Sequence, residues 1–171
     1  MAVNDLELFP IVDENGTVIG KATRRECHSG SRLLHPVVHL HVINEHGEIY
    51  LQKRSMDKDI QPGKWDTAVG GHIDYGEEVV AAMFREAREE LGLTSFEPVR
   101  LPAYRYSSDR ECELINPFFV YVSDGCIMQP DPAEISEGRF WSLSEIESNI
   151  GKEVFTPNFE QEFLMIKDFI K

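Results

Sequence analysis

The pattern of apolar and polar positions along the chain predicts several short strands that are separated by turn residues. Short apolar runs flank Asn15-Gly16, a dipeptide that is typical of a β-hairpin turn. A second strand pair is predicted where "PVVHLHVIN" and "EIYLQKR" are joined through "NEHG". Further strands are predicted in "WDTAV", "ELINPFFVYV" and "GRFWSL", which are short apolar segments next to turn residues.

Helical periodicity appears between and after these strands. One helix is predicted to end at Gly92, because apolar residues recur at spacings of three and four from Val80 to Leu91. The C-terminal segment predicts an amphipathic helix that has Thr156 as its N-cap and a proline in its first turn. A short helix is predicted at Ser144–Glu147, which has the spacing of a capping box. Strands interleaved with helices predict an α/β fold with a mixed sheet.

Length and charge limit the classes of function. The 171 residues fit one domain with a sizeable core, and no linker divides them. The formal net charge of −13 argues against a nucleic-acid polymer as partner, because its phosphate backbone requires clustered Lys and Arg. A small phosphorylated ligand is still compatible with this charge, since a divalent cation can carry the attraction.

The cysteine content and the apolar runs predict a location. No apolar run is long enough to span a membrane, and the N-terminal residues lack the basic start and apolar stretch of a secretory signal. Cys27, Cys112 and Cys126 form an odd and sparse set, which predicts free thiols in a reducing compartment. We therefore expect a cytoplasmic protein without a membrane partner.

The predicted helix that ends near Gly92 gathers carboxylates on one side. Each helical residue turns by about 100°, so Glu86, Glu89 and Glu90 share one arc at the edge of the apolar stripe. Carboxylate oxygens are hard ligands that suit Mg²⁺ or Mn²⁺, and a cation would relieve their mutual repulsion. The alternative interpretation is a solvated helix face whose carboxylates are tolerated in water.

The spacing around this helix resembles the Nudix box. Gly71, Glu77 and the run "REAREELGL" that begins at Arg85 match the pattern G-x5-E-x7-R-E-U-x-E-E-x-G-U, where U is apolar. The box covers residues 71–93, and the strand order on either side extends the resemblance to most of the chain. The resemblance implies a Nudix-type α/β/α sandwich with a mixed β-sheet, formed by a single Nudix hydrolase domain over residues 1–171.

The resemblance also implies a reaction and a set of metal ligands. Nudix hydrolases cleave a nucleoside diphosphate linked to another group, with a divalent ion that polarises the diphosphate and activates water. Glu86 and Glu90 are implied as direct ligands of Mg²⁺ or Mn²⁺, and the carbonyl of Gly71 as a further ligand. Glu89 is implied as a third carboxylate ligand or as the general base.

Other residues of the resemblance have supporting or alternative roles. Arg85 is implied as the partner that holds the carboxylates in place, and Glu77 as the residue that ties the loop to the helix. Glu134 and Glu137 lie where many family members bring an acidic loop over the site, so they are also candidates for the base. The alternative for these two is a polar loop before a strand.

The flanks of the box resemble a particular branch, the type I isopentenyl diphosphate isomerases. Three His and two Glu hold a metal in that enzyme, and five residues here fall on those positions: His28, His35, His72, Glu111 and Glu113. Arg54 and Lys58 fall where the isomerase grips its diphosphate. The alternatives are histidines that are packed or hydrogen-bonded, and a solvated basic loop. His39 and His41 alternate with Val38, Leu40 and Val42, which predicts that they are strand residues on the face opposite the apolar one.

Two departures from the isomerase pattern favour hydrolysis. Gly70 stands where the isomerase needs its catalytic Cys, and Glu86 is present although the isomerase lacks the first Glu of this helix. Our first hypothesis is therefore a pyrophosphohydrolase that acts on a small diphosphate compound. An isomerase that shifts a double bond and a non-catalytic module that binds a metabolite are the alternatives. Many Nudix enzymes pair as dimers, so the resemblance also allows a homodimer.

Overall fold

A computed structural model describes residues 4–58, 60–133 and 135–170. In these residues the chain forms ten strands, four α-helices and two single-turn 3-10 helices. The strands are β1 (Leu8–Val12), β2 (Val18–Thr23), β3 (Leu34–Ile43), β4 (Ile49–Arg54), β5 (Trp65–Thr67), β6 (Val69–His72), β7 (Val99–Arg100), β8 (Tyr104–Ser107), β9 (Cys112–Tyr121) and β10 (Ile135–Trp141). The helices are α1 (Arg24–Cys27), α2 (Val79–Leu91), α3 (Leu143–Asn149) and α4 (Pro157–Ile166), with 3-10 turns at Asn4–Leu6 and Lys167–Phe169. No helix in this described part is long and apolar enough to cross a membrane.

Eight of the strands form one mixed sheet, and the other two form a hairpin. The order of hydrogen-bonded neighbours in the sheet is β10-β4-β3-β9-β7, while β5 pairs with β4, β6 with β3 and β8 with β9. Strands β1 and β2 form the predicted antiparallel hairpin, whose turn contains Gly16 at φ +84°. The predicted α/β fold class with a mixed sheet is confirmed.

The chain divides into two compact units. The first unit consists of the described residues of Met1–His39 together with Gly70–Glu86 and Arg100–Phe118. Its hairpin packs Phe9, Ile11 and Ala22 around the thiol of Cys27, which forms a small apolar core. Thr23 caps α1 through a reciprocal capping box with Glu26, so the residue that follows this short helix, His28, has a defined position.

The second unit consists of Leu40–Val69, Ala87–Val99 and the described residues of Phe119–Lys171. Strand β4 lies at its centre and pairs in antiparallel register with β10 and β5. An aromatic cluster joins Trp65, Trp141, Phe155 and Phe159 through ring contacts with centroid distances of 5.1 to 5.3 Å. Helix α4 begins after Thr156, which accepts a hydrogen bond from the Phe159 amide, and Pro157 stands in its first turn as predicted.

Two local predictions were wrong in detail. The segment "WDTAV" forms parts of two strands, β5 and β6, because the chain leaves the first pairing at Ala68. Helix α3 is capped by Ser142 instead of Ser144. The Ser142 side chain accepts from the Glu145 amide, and the Glu145 carboxylate accepts from the Ser142 amide. Two overlapping Ser-x-x-Glu spacings occur here, and the extended backbone at Ser142 selects the first.

His39 and His41 belong to a strand as predicted, and the strand face that carries them is buried as well. Every residue of β3 is buried, as is usual for a strand covered on both faces. His41 is fully buried, and its Nε2 lies 2.6 Å from Oε1 of Glu162, which is also fully buried. This pair anchors α4 on β3 within the second unit, and its hydrogen bond compensates for the burial of two polar groups.

We expect Glu162→Ala to lower the free energy of unfolding by about 3 kcal/mol, because it removes one partner of a buried pair. Guanidinium unfolding monitored by circular dichroism measures this change. Gln161→Ala, at the exposed neighbouring position of the same helix, is the control and should change stability little. Equal stability of the two variants would contradict the anchoring role of the pair.

Candidate functional site

Arg85 of α2 connects three backbone segments of the first unit. Its Nε and Nη2 donate to the two oxygens of Glu77 at 2.8 and 2.9 Å, and Nη1 donates to Oε1 of Glu86 at 2.8 Å. Nη2 also donates to the carbonyl of His72 at 3.1 Å, and Glu77 accepts a further bond from the Asp74 amide. The guanidinium therefore links the loop before α2, the end of β6 and a carboxylate of the helix.

Arg85 and Glu77 shift each other's pKa in the direction that favours the charged forms. Hydrogen bonds from Arg85 hold the pKa of Glu77 below its usual range, although burial opposes this shift. The Glu77 carboxylate in turn raises the pKa of Arg85, and the charge of Glu86 adds to the effect. Both shifts favour the ionised forms of Glu77 and Arg85 at neutral pH.

Gly71 lies against the carboxyl group of Glu86. A Cβ atom on Gly71 would lie far inside van der Waals contact with the Cδ, Oε1 and Cγ atoms of Glu86. Only glycine therefore allows this carboxylate to approach the β6 backbone so closely. The structure brings these two predicted metal ligands together in the first unit.

Glu89 and Glu90 follow on α2, in residues that belong to the second unit. Glu89 is exposed, whereas Glu90 is half-buried. Oε1 of Glu90 accepts a hydrogen bond from Nε2 of Gln52 at 3.1 Å, and the same nitrogen donates to the carbonyl of Ala68 at 3.1 Å. Sequence reasoning missed Gln52. The period of two in "IYLQKR" places it on one face of β4 with Arg54, but it does not indicate that a helix lies beside that face.

The segment before β10 is bound to the end of the helix that carries Glu90. The Gln129 amide donates to the carbonyl of Leu91 at 2.7 Å, and the Asp131 amide donates to the carbonyl of Glu90 at 3.0 Å. These bonds satisfy carbonyl groups that a helix end leaves without helical partners. Glu137 follows as an exposed residue of β10, with its Cα opposite Lys53. Glu134 lies outside the described residues.

Three of the predicted histidines and one glutamate converge in the first unit. His28 follows α1, His35 belongs to β3, His72 ends β6, and Glu111 directly precedes β9. One ligand atom from each lies within 4.8 Å of the others. His28 Nε2 is 2.8 Å from Glu111 Oε2 and 3.2 Å from His72 Nε2. Glu113, the fifth predicted member, is not part of this group of mutually close atoms.

Two contacts fix the rings of His35 and His72: stacking on Phe9 and a hydrogen bond to the backbone. Phe9 stacks on His72 with ring centroids 4.5 Å apart and an interplanar angle of 3°, and it also stacks on His35. His35 Nδ1 lies 3.0 Å from the carbonyl of Leu33, which assigns its proton to Nδ1. Its buried Nε2 has no hydrogen-bond partner among the described residues. The lone pair of that nitrogen is thus directed toward the cluster.

Burial sets the protonation of the cluster. It lowers the pKa of His35 and, with the nearby charge of Arg24, takes the pKa of His72 well below its ordinary value. Burial also works against ionisation of Glu111, but the hydrogen bond with His28 and the charges of His28, His35 and Arg24 together outweigh it, so the pKa of Glu111 is lowered. The lowered pKa values of His35 and His72 favour neutral imidazoles, and imidazole nitrogens beside a carboxylate are a donor set that suits a transition-metal ion or zinc.

The cysteines provide no accessible thiol beside this cluster. Cys27 is fully buried, and burial together with the charge of Glu26 raises its pKa to about 11. Cys112 packs with Val12, Leu34 and Leu114, so it faces away from Glu111 as the strand alternation predicts. Cys126 is half-buried and belongs to the second unit. Gly70 leaves the position of the isomerase thiol without a side chain.

Arg54 and Lys58 lie at and after the end of β4. Arg54 donates from Nε to the carbonyl of Ile60 at 3.0 Å, and its Nη1 lies 3.5 Å from Oδ2 of Asp66. Lys58 is half-buried in the loop that follows. The contacts of Arg54 brace this loop against β5, and its guanidinium remains partly exposed.

The relatives of this chain are named either as Nudix hydrolases or as isopentenyl-diphosphate isomerases. A family model described as NUDIX domain matches residues 33–159. The isopentenyl-diphosphate Delta-isomerase of Streptomyces griseus is 31% identical over 156 residues, which cover 89% of this chain and 79% of the isomerase. An uncharacterized Nudix hydrolase of Yersinia pestis is 32% identical over 154 residues, covering 90% of this chain and 81% of that protein.

A solved structure shares the fold. DR0079 from Deinococcus radiodurans matches with a TM-score of 0.78 at 22% identity, and the match covers 93% of this chain and 98% of that one. Because curated relatives at nearly equal identity are named isomerase and hydrolase, overall similarity does not separate the two activities. The choice depends on particular residues of the site.

Glu77→Gln should lower the free energy of unfolding by about 2 kcal/mol at pH 7, because it weakens a bidentate bond to Arg85. The pKa of Glu77 is lower in the folded chain, so its stabilisation is present above the unfolded pKa and lost as pH falls through the folded one. The difference from wild type should therefore shrink toward pH 3 in denaturant titrations. Glu78→Gln, at the exposed neighbouring position, is the control. A difference that is constant with pH would contradict this origin.

Proposed function

The chain belongs to the Nudix hydrolase family, and we propose that it is a Mg²⁺- or Mn²⁺-dependent pyrophosphohydrolase. Its proposed substrate is a small nucleoside diphosphate derivative, which is cleaved at the diphosphate bond. The observation that carries this proposal is the Glu86 carboxylate, which Arg85 holds against Gly71 at the start of a complete carboxylate set. We also propose that residues 1–171 act as a single Nudix hydrolase domain.

The donor set fits the proposed cation. Glu86, Glu89 and Glu90 of α2 and the carbonyl of Gly71 supply only oxygen atoms, which Mg²⁺ and Mn²⁺ prefer. Such an ion, when bound, polarises the diphosphate and activates water for attack on phosphorus. Carboxylates crowded on one helix repel each other, and a cation removes this cost.

Residues of the chain orient the metal-binding carboxylates and accept the proton of the attacking water. Arg85 fixes Glu86 through a charge-assisted hydrogen bond. Glu77 binds the guanidinium on its other side, which keeps Arg85 from forming a bidentate bond with Glu86. Exposed Glu89 can accept a proton from water at the surface of the helix, which makes it our first candidate for the general base. Glu137 is the second described candidate, because the segment before its strand is bonded to the end of α2.

We propose a second metal site at His28, His35, His72 and Glu111. The buried Nε2 of His35, which is directed toward the cluster, supports this proposal, as do the mutual distances of the four ligand atoms. Glu113, two residues after Glu111, is proposed as a further ligand of this site. Arg54 and Lys58 are proposed to bind the substrate diphosphate, which requires Arg54 to exchange its contact with Asp66 for a phosphate oxygen.

The second candidate function is an isopentenyl diphosphate isomerase. The histidine cluster favours it, because it follows the ligand order of those enzymes, and relatives of that name are among the similar proteins. The chemistry of double-bond migration requires an acid and a base on the two faces of the substrate. Gly70 supplies neither, and burial keeps Cys27 protonated and inaccessible. Hydrolysis is therefore better supported.

Two further proposals follow from sequence features. We propose a cytoplasmic location because the cysteines Cys27, Cys112 and Cys126 are free thiols. A homodimer is proposed by analogy with family members, and sedimentation of the purified chain tests it.

A substrate panel tests the proposed reaction. We expect Mg²⁺-dependent release of phosphorylated products from at least one of ADP-ribose, NADH, sugar nucleotides or oxidised nucleotides. We expect no isomerised product from isopentenyl diphosphate. Chromatography of the products, with and without EDTA, measures both outcomes.

Glu90→Gln should reduce turnover of the identified substrate about a hundredfold or more, since it removes a principal metal-binding group. Glu97→Gln, at an exposed position beyond the helix, is the matched control and should retain activity. Near-normal rates in the Glu90 variant would contradict its role. Isomerisation without hydrolysis would replace the proposed function by the second candidate.

Gly71→Ala should abolish most of the Mn²⁺ affinity while it changes the melting temperature little. The added methyl group displaces a flexible carboxylate and not the backbone, so the site is disturbed more than the fold. Gly125→Ala adds the same methyl group where no atom lies within 4 Å, and it serves as the control. Titration by electron paramagnetic resonance measures free Mn²⁺. Unchanged affinity in the Gly71 variant would rule out the close approach to Glu86 as a requirement.

A further inference from the structure

We infer that Gln52 is a positioning residue for Glu90, which it orients for cation binding without lowering its charge. The inference rests on the proposed function of the α2 carboxylates. Its basis is a fork of two hydrogen bonds in the second unit. Gln52 Nε2 donates to Glu90 Oε1 at 3.1 Å and to the Ala68 carbonyl at 3.1 Å.

The fork fixes the orientation of the amide. A Gln side chain has two N–H donors on one nitrogen, and here each has its own acceptor. A flipped amide would place its oxygen against a carbonyl and a carboxylate, which are both acceptors. The Ala68 carbonyl is part of the backbone between β5 and β6, so it holds the nitrogen in place for Glu90.

The strand that carries Gln52 is rigid. Its Cα lies opposite Gly138 of β10 on one side and opposite Asp66 of β5 on the other. A side chain on a strand that is paired on both sides has a better-defined origin than one on a loop. The Glu90 carboxylate is thus bound to a fixed point of the sheet and does not depend on its own rotamer preference.

The neutral donor at Glu90 differs from the cationic donor at Glu86, in the middle of the helix. Arg85 brings a full positive charge to Glu86, and Glu77 balances that charge. Gln52 brings only a dipole, so it adds no positive charge beside Glu90 that would compete with an incoming cation. A carboxylate has about four lone-pair sites, so the bond from Gln52 to Oε1 does not by itself exclude a metal. Partners of this kind change metal affinity by about 10- to 100-fold when they are removed.

The test measures Mn²⁺ binding to the full chain by electron paramagnetic resonance. Gln52→Met keeps the length of the side chain and removes the donor, while Gln161→Met makes the same change at an exposed helix position. A Glu86→Gln, Glu90→Gln double variant measures ions bound elsewhere, including at the histidine cluster, and its binding is subtracted. We expect the Mn²⁺ dissociation constant to rise about tenfold in the Gln52 variant and to be unchanged in the Gln161 variant.

Kinetics separate positioning from a merely structural role. A lost positioning residue raises the Mg²⁺ concentration required for half-maximal rate, while saturating Mg²⁺ restores kcat toward the wild-type value. Unchanged Mn²⁺ affinity with a lowered melting temperature would overturn the inference, because Gln52 would then only connect the strand to the helix. If Gln52→Met does not fold, Gln52→Asn provides the same comparison, since its shorter amide cannot span both acceptors.

The Glu90→Gln variant distinguishes the two possible failures. If it binds Mn²⁺ as well as the wild type, the proposed function fails and this inference fails with it. If it loses binding while Gln52→Met does not, only the role of Gln52 is wrong.

Discussion

The geometry of the candidate site depends on the bidentate bond between Arg85 and Glu77. Without that anion behind it, the guanidinium would be free to form its strongest bonds with the carboxylates that are proposed to bind a cation. With both Glu77 oxygens engaged, Arg85 keeps single contacts for Glu86 and for the carbonyl of His72. The carboxylates of α2 therefore outnumber the positive charge that Arg85 brings to them, and the Glu86 carboxylate is held in one orientation.

Gly71 and His72 of strand β6 each contribute to one of the two proposed metal sites. Gly71 gives space to the Glu86 carboxylate, and the next residue, His72, offers its carbonyl to Arg85 and its ring to the histidine cluster. Successive residues of a strand point to opposite sides, so four residues of backbone support two different donor sets. One set consists of oxygen atoms, and the other is mainly nitrogen. The two sets therefore suit different metals.

Gly70 is one of the positions on which the choice between the proposed hydrolase and the second candidate, an isomerase, depends. A Cβ at Gly70 would lie 3.4 Å from the ring of His39, which is ordinary contact, so packing does not exclude a side chain there. The absent thiol is thus a chemical difference and not a steric requirement. The retained Glu86 is the complementary change, since its carboxylate completes the set that hydrolysis needs. Both features support activation of water over proton transfer to carbon.

The sequence by itself determined the family, the α/β class and the ends of the box helix, because glycine, charge and apolar periodicity are local signals. It also placed Thr156 and Pro157 at the start of the last helix. Only the tertiary structure decided that His41 is buried with Glu162 and that Gln52 contacts Glu90. Each of these depends on which distant segment covers a given face, and a strand's alternation does not contain that information.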